Sequence, residues 1–266
     1  MYRSDGTPVH ACLCFLKWRY EVREYTPEAI PYLCRQNFLK VKSRTVVFVI
    51  LFILIADQTL KFWVKTHMMY QEQIPLLGSF FRLFFIENEG MAWGWKFGGD
   101  WGKMALTLFR LGAVIFGVFY IRSIIKKQLH PGFIICVGMI FAGALGNLID
   151  SLFYGMIFSY SDLGAPLAHV FPKGGGYAGF LHGRVVDMLY APLIEDKLIP
   201  SWVPIWGGDR FTFFSPIFNI ADASISVGVI SILVFQKRFF RKDPPKPVPL
   251  VSRAPNSPVN DNIRVL

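Results

Sequence analysis

Along the chain, apolar positions gather into four long runs, at residues 45–64, 104–121, 132–149 and 216–235. Each approaches the roughly 20 residues that an α-helix needs to cross a hydrocarbon core of about 30 Å. The first is unbroken from Val46 to Ala56 and then carries Asp57, Gln58 and Lys61, whereas the second is interrupted by Arg110. The third has Asn147 as its one strongly polar side chain, is followed directly by Asp150, and spaces Gly138, Ala142 and Gly146 four apart, a small-residue face that allows close helix approach. The fourth contains Asn219 and Asp222. Between the first two runs, the alternation from Phe80 to Ile86 and the Gly-rich, Trp-containing stretch after it predict short strands and turns at a membrane interface. The fold class expected is therefore an all-α membrane protein, four transmembrane helices with a small external β-cradle.

Composition agrees with this pattern. Of 266 residues, 53% are apolar and only 17% charged, too few charges for an ordinary soluble surface. A net charge of +10 together with 26 Phe describes a membrane protein with basic ends, and neither a disordered nor a nucleic-acid-binding chain. The four Cys (Cys12, Cys14, Cys34, Cys136) lack zinc-type spacing and read as reduced thiols, not as a disulfide framework.

The basic residues also orient the chain. Residues 1–44 hold eight Lys and Arg, residues 122–131 hold three and residues 236–266 hold seven, so 18 of the 28 fall on one side if both termini are cytoplasmic. Residues 65–103 and 150–215 are then external. Three regions are expected: an N-terminal cytoplasmic extension at 1–41, a four-helix membrane domain at 42–242, and a Pro-rich disordered tail at 243–266. Residues 1–40 contain no apolar core long enough for a signal peptide, and a translation start downstream, near Leu39 or Val41, is an expectation for this end.

Ionisable side chains within a span cost about 2.5–3.5 kcal/mol on insertion scales and normally have partners and a purpose. Asp57, Asp150 and Asp222 all fall toward the external ends of their helices, at one depth, where their carboxylates can converge. Asn147 stands three residues before Asp150, and Asn219 three before Asp222; at helical spacing each pair shares a face, so the amide can hold its carboxylate. One such pair is as readily helix–helix glue as a site, but two at one depth favour a site. A further acid, Asp187, lies in an apolar stretch, Val185-Val186-Asp187-Met188-Leu189-Tyr190, of the second external connection. A strand-end or capping role is its plain structural reading.

Five ordered segments resemble the signal peptidase II (lipoprotein signal peptidase) family of bacterial membrane aspartyl proteases. They are Asp57-Gln58-Thr59-Leu60-Lys61, Asn88-Glu89-Gly90-Met91-Ala92-Trp93-Gly94, Gly143-Ala144-Leu145-Gly146-Asn147-Leu148-Ile149-Asp150, Val185-Val186-Asp187-Met188 and Phe218-Asn219-Ile220-Ala221-Asp222. Each alone is weak; in this order on a four-span chain they are specific. The resemblance implies that Asp187 and Asp222 are the catalytic pair, one activating water while the other, protonated, polarises the scissile carbonyl. It further implies that Asn88 and Asn219 orient or contact substrate, that Asn147 and Asp150 brace the site, and that Asp57 with Lys61 holds the first helix to the cradle. No metal or cofactor is implied. The partners implied are diacylglyceryl-modified prolipoproteins, cut on the N-terminal side of the lipidated Cys, and membrane lipids, with the enzyme monomeric in the bacterial cytoplasmic (inner) membrane and its site near the periplasmic face.

Two departures stand out. The family usually places Arg directly after the acid of the third helix, where this chain has Ser151, so the role of that Arg is filled otherwise or lost, and Arg184 is one candidate for it. The intervals flanking Asp187 are long, implying external insertions, one containing Lys173-Gly174-Gly175-Gly176. The rival function is a small proton- or cation-coupled transporter, which also buries Asp beside Asn. Four spans leave little room for an inverted repeat, and a transporter has no evident use for Asp187 outside them.

Overall fold

Four helices carry the apolar runs: α1 (Ser43–His67), α2 (Gly99–Lys126), α3 (Pro131–Ile149) and α4 (Ile220–Phe239). The structure, a computed structural model, describes residues 43–78, 80–88, 99–192, 194–202, 208, 210–213 and 216–241. The expectations for residues 1–41 and 243–266, and for most of the Asn88 to Gly94 turn, lie outside these.

All four helices are long and apolar enough to cross a membrane, and their outer faces show why. Phe48, Phe52 and Ile55 on α1, Phe109, Phe116 and Phe119 on α2, and Ile230, Leu233 and Val234 on α4 are exposed where a soluble helix would present charge. The central helix is α3, which packs against the other three. Pro at its first turn and His130, whose ring accepts from the Gly132 N–H, start it. Its small residues let neighbours in: a Cβ on Gly146 would stand 2.8 Å from the Asp57 carboxylate and 3.3 Å from Ala221 Cβ, so only Gly brings α1 and α4 this close.

At Asp150 the helix widens into a π-helical segment, Asp150–Tyr154, followed by one α-turn at Gly155–Ile157, so the apolar span continues to Ile157. Such wide turns are rare and concentrate at functional sites. The fourth helix differs more from expectation. It begins at Ile220, and Asn219 is its N-cap in extended conformation (φ −123°, ψ 178°), its side chain accepting from the Asp222 N–H. Asn219 and Asp222 therefore do not share a helix face; Asn satisfies the helix's orphan donor, a role its short side chain fills well.

Strands β1 (Gln73–Leu77), β2 (Phe81–Asn88) and β3 (Val185–Tyr190) form an antiparallel sheet in that order. Ile86 pairs with Asp187, Glu87 with Val186 and Asn88 with Val185, after a register shift between Leu83 and Ile86. The other edge of β3 bridges Leu189 to Phe218, next to the start of α4. A separate ladder, β4 (Ile194–Leu198) with β5 (Arg210–Phe213), lies in the connection between β3 and α4. One apolar cluster (Val64, Met68, Leu83, Phe85, Tyr154, Phe158, Val186, Met188) fills the space beneath the sheet, and another (Val46, Ile121, Ile124, Phe133, Ile134) closes the opposite end of the bundle. Along α1, Asp57 and Lys61 lie between the two.

Candidate active site

The first helix delivers a fully buried ammonium. Lys61 Nζ lies 2.9 Å from Asp57 Oδ2, 2.8 Å from Asp150 Oδ2 and 2.9 Å from Asn147 Oδ1, so its three protons meet three acceptors from α1, α3 and the π-segment. Gln58 Nε2 donates to Asp150 Oδ1 at 2.9 Å, and the Asp57 Oδ1 accepts from the Ala221 N–H at 2.9 Å, which fixes the first turn of α4 to α1. The Val186 N–H approaches Asp150 Oδ2 at 3.4 Å, so β3 is held to the same carboxylate.

Two amides carry the network onward. Asn147 Nδ2 donates to Asp222 Oδ1 at 2.7 Å, and Asn219 Nδ2 donates to Asp187 Oδ1 at 2.7 Å and to Asn147 Oδ1 at 3.2 Å. Asn88 Nδ2 reaches the second oxygen of Asp187 at 3.3 Å. Asp187 is thus a mid-strand acid only 3% exposed, while Asp222 is half-buried. Burial, then the negative charge of Asp222, raise the Asp187 pKa to about 7, against the opposing pull of Asn219, Lys61 and Asn88.

Eight of the nine residues singled out in the sequence (Asp57, Lys61, Asn88, Asn147, Asp150, Asp187, Asn219, Asp222) meet in this one network. Arg184 does not join it. Three residues along extended chain reverse the face, so Arg184 points away from the Asp187 side. Its guanidinium lies 3.8 Å from Glu87 and over the rings of Tyr160 and Tyr177, 5.0 and 5.9 Å from their centroids. The guanidinium found at Ser151 is that of Arg110, whose Nη1 donates to Ser151 Oγ at 3.0 Å.

Sequence reasoning passed over three further groups. Arg110 was visible as the one charge inside the second run. Lys65, one turn beyond Lys61, is fully buried, pairs with Glu87, donates to Ser161 Oγ at 3.0 Å and faces the rings of Phe85, Phe158 and Tyr177. Its i, i+4 spacing from Lys61 was the available signal. Tyr154 donates to Gln58 Oε1 at 3.2 Å, and only the widened turn, which sequence does not announce, brings it there.

A family model described as signal peptidase (SPase) II matches residues 49–238. The chain belongs to the signal peptidase II family. Among its relatives, a lipoprotein signal peptidase of Porphyromonas gingivalis is 44% identical over 198 residues, covering 74% of this chain and 84% of the relative. That of Amoebophilus asiaticus is 37% identical over 187 residues, covering 69% and 73% respectively. A solved bacterial membrane enzyme is 26% identical, covering 74% of this chain and 96% of that one, with a TM-score of 0.47. As a signal peptidase II, the chain joins four helices fit to cross a membrane to a small antiparallel sheet, and its polar network lies where they meet.

Proposed function

We propose that this protein is an aspartyl endopeptidase that removes the signal peptide from diacylglyceryl-modified prolipoproteins, cutting on the N-terminal side of the lipidated Cys. The observation that carries the reading is Asn219: its amide donates to Asp187 while its carbonyl oxygen caps the Asp222 N–H, so one side chain sets both acids. Asp187, the more buried and with its pKa near 7, holds the shared proton and polarises the scissile carbonyl. Asp222, the more open of the two, takes a proton from the attacking water. Asn88 and Asn219 orient the pair, and Lys61, Asp57, Asp150 and Asn147 brace it. Acids at the end of apolar helices suit a substrate whose signal segment lies in the bilayer.

The enzyme sits in the bacterial inner membrane with both termini cytoplasmic and the acids near the external face, the Lys/Arg distribution supporting this orientation. Single Cys replacing Ser159 or Ser201 should react with an impermeant thiol reagent from outside, and one replacing Gln128 should not; outside labelling at 128 would reverse the orientation.

Incubating purified protein with a diacylglyceryl-modified precursor tests the chemistry. Asp187→Asn and Asp222→Asn should be folded and lack nearly all turnover, because the two acids act as one unit. Asp150→Asn should keep partial activity with lower stability. Full activity in Asp187→Asn would refute the pair.

A further inference from the structure

The second helix enters the site through two polar side chains on one face, three residues apart. Thr107, 2% exposed, shares its hydroxyl proton between the Lys103 carbonyl of its own helix at 3.0 Å and the Leu181 carbonyl at 3.2 Å, and Arg110 donates to Ser151 Oγ at 3.0 Å. Both contacts meet the same small assembly. The Gly183 N–H donates to the Ser151 carbonyl at 2.9 Å, and the chain here runs so close to the Asp150 carbonyl that a Cβ on Gly183 would collide with it. Ser151 Oγ in turn donates to the Asn147 carbonyl at 2.9 Å. Arg110 therefore grips the residue that follows Asp150, lies one turn from Asn147, and is strapped by the segment leading into β3.

The charge balance gives this grip a purpose. Four carboxyls, Asp57, Asp150, Asp187 and Asp222, are tied by hydrogen bonds and ion pairs into one network around the single ammonium of Lys61. The Arg110 charge interacts with Asp222, Asp150 and Asp187, in that order of strength. The other charged groups facing the pair are Asp57 and Lys61 from α1 and Asp150 from the π-segment; Glu87 on β2, beside Asn88, is matched by Lys65 and Arg184, and Arg82 on β2 stacks on Tyr190.

We propose that Arg110 is a positioning residue of the acid pair: from α2 it holds Ser151, and with it the turn of Asp150 and Asn147, and it lends the buried carboxylates a second positive charge beside Lys61. The role rests on the reading that Asp187 and Asp222 perform the chemistry. Removing a nearby cation favours the protonated carboxyl, so without Arg110 the Asp187 proton persists to higher pH. The alkaline limb of the pH–rate profile, where activity falls as the acid loses its proton, then moves upward.

The test is cleavage of the diacylglyceryl-modified precursor across pH by Arg110→Gln, Arg110→Lys and the double variant Arg110→Gln with Ser151→Arg, each normalised to folded protein. Arg110→Gln should lose turnover roughly a hundredfold, as mispositioned groups do, and shift its alkaline limb upward by about one pH unit. Arg110→Lys keeps the charge without the fork, so its limb should stay at the parental position while turnover falls roughly tenfold. The double variant carries a guanidinium from the other end of the same hydrogen bond and should recover most of the loss and the parental limb. A merely structural role for Arg110 would lower turnover without moving the limb. An unshifted profile in Arg110→Gln would overturn the proposal; should that variant not fold, an upward shift in Arg110→Lys would overturn it equally. Asp187→Asn keeps the two failures apart: if it is active, the acid-pair reading falls, and if it is dead while Arg110→Gln keeps its limb, only the role of Arg110 falls.

Discussion

Two lysines one turn apart on α1 are both fully buried, and their surroundings differ in kind. Lys61 meets Asp57, Asp150 and Asn147, oxygen acceptors only, and two of them are charged. Lys65 meets one carboxylate, Glu87, one hydroxyl, Ser161, and three aromatic faces at 5.0 to 5.9 Å. The first lysine is outnumbered by acids, since Asp57 and Asp150 both pair with it. The second has one carboxylate partner, which it shares with Arg184, and is lined with rings, which attract a cation without titrating. On the proposed function, that difference separates a reactive centre from a joint. The joint still serves the centre, because Glu87 stands beside Asn88 on β2 and Ser161 belongs to the connection leading to β3, so Lys65 binds α1 to sheet and connection together.

Substitutions at the two lysines should break or sharpen this contrast. Lys61→Met leaves Asp57 and Asp150 buried with no ammonium between them, and should cost about 3–5 kcal/mol of stability and abolish cleavage. Lys65→Met leaves Glu87 with Arg184 at 3.8 Å to turn toward it, and should cost about 1–3 kcal/mol with turnover reduced only in part. Equal losses in thermal unfolding for the two would erase the distinction. Replacing both Lys65 and Glu87 by Met should return stability close to the parent, since a buried pair exchanged for apolar volume is often neutral; the same remedy cannot apply to Lys61, whose acids belong to the site. Ser161→Ala should be mildest, about 1 kcal/mol, with cleavage unchanged.

The reactive side also predicts a pH signature. Asp187 is raised in the folded protein to about 7, so between the ordinary carboxyl range and pH 7 the folded state binds more protons than the unfolded one. Stability contributed by this group is full at low pH and declines as pH rises through that window, by at most about 1.4 kcal/mol per pH unit. Asp187→Asn removes the term, so its melting temperature relative to the parent should climb from pH 4 to pH 7. A constant difference would mean that Asp187 is not held protonated.

The helices were legible because a span is a composition: runs 45–64 and 132–149 lie within α1 and α3, whose ends move by a few residues at most. The run at 216–235 began too early because apolarity does not distinguish a helix from the extended chain entering it; Asn219, as a cap, marked the true start at Ile220. The site residues were legible for a related reason, since polar groups in an apolar background are few and each needs a partner. Arg184 was misplaced because adjacency to Asp187 in sequence says nothing of distance when strand alternation reverses the face. Arg110 went unassigned because its partner, Ser151, is an ordinary residue that gains meaning only where α2 crosses the end of α3.

The π-segment Asp150–Tyr154 amounts to one residue too many in an otherwise regular helix. Upstream of it, α3 addresses other helices through Gly146 and Asn147; downstream, Tyr154 and Phe158 address the floor of the sheet. The surplus residue works as a phase shifter between two gear trains, letting a single rod mesh with helical teeth at one end and pleated teeth at the other. Deleting one residue from 151–153 would straighten the rod and leave it in step with only one of them, and the acids of the site are drawn from both.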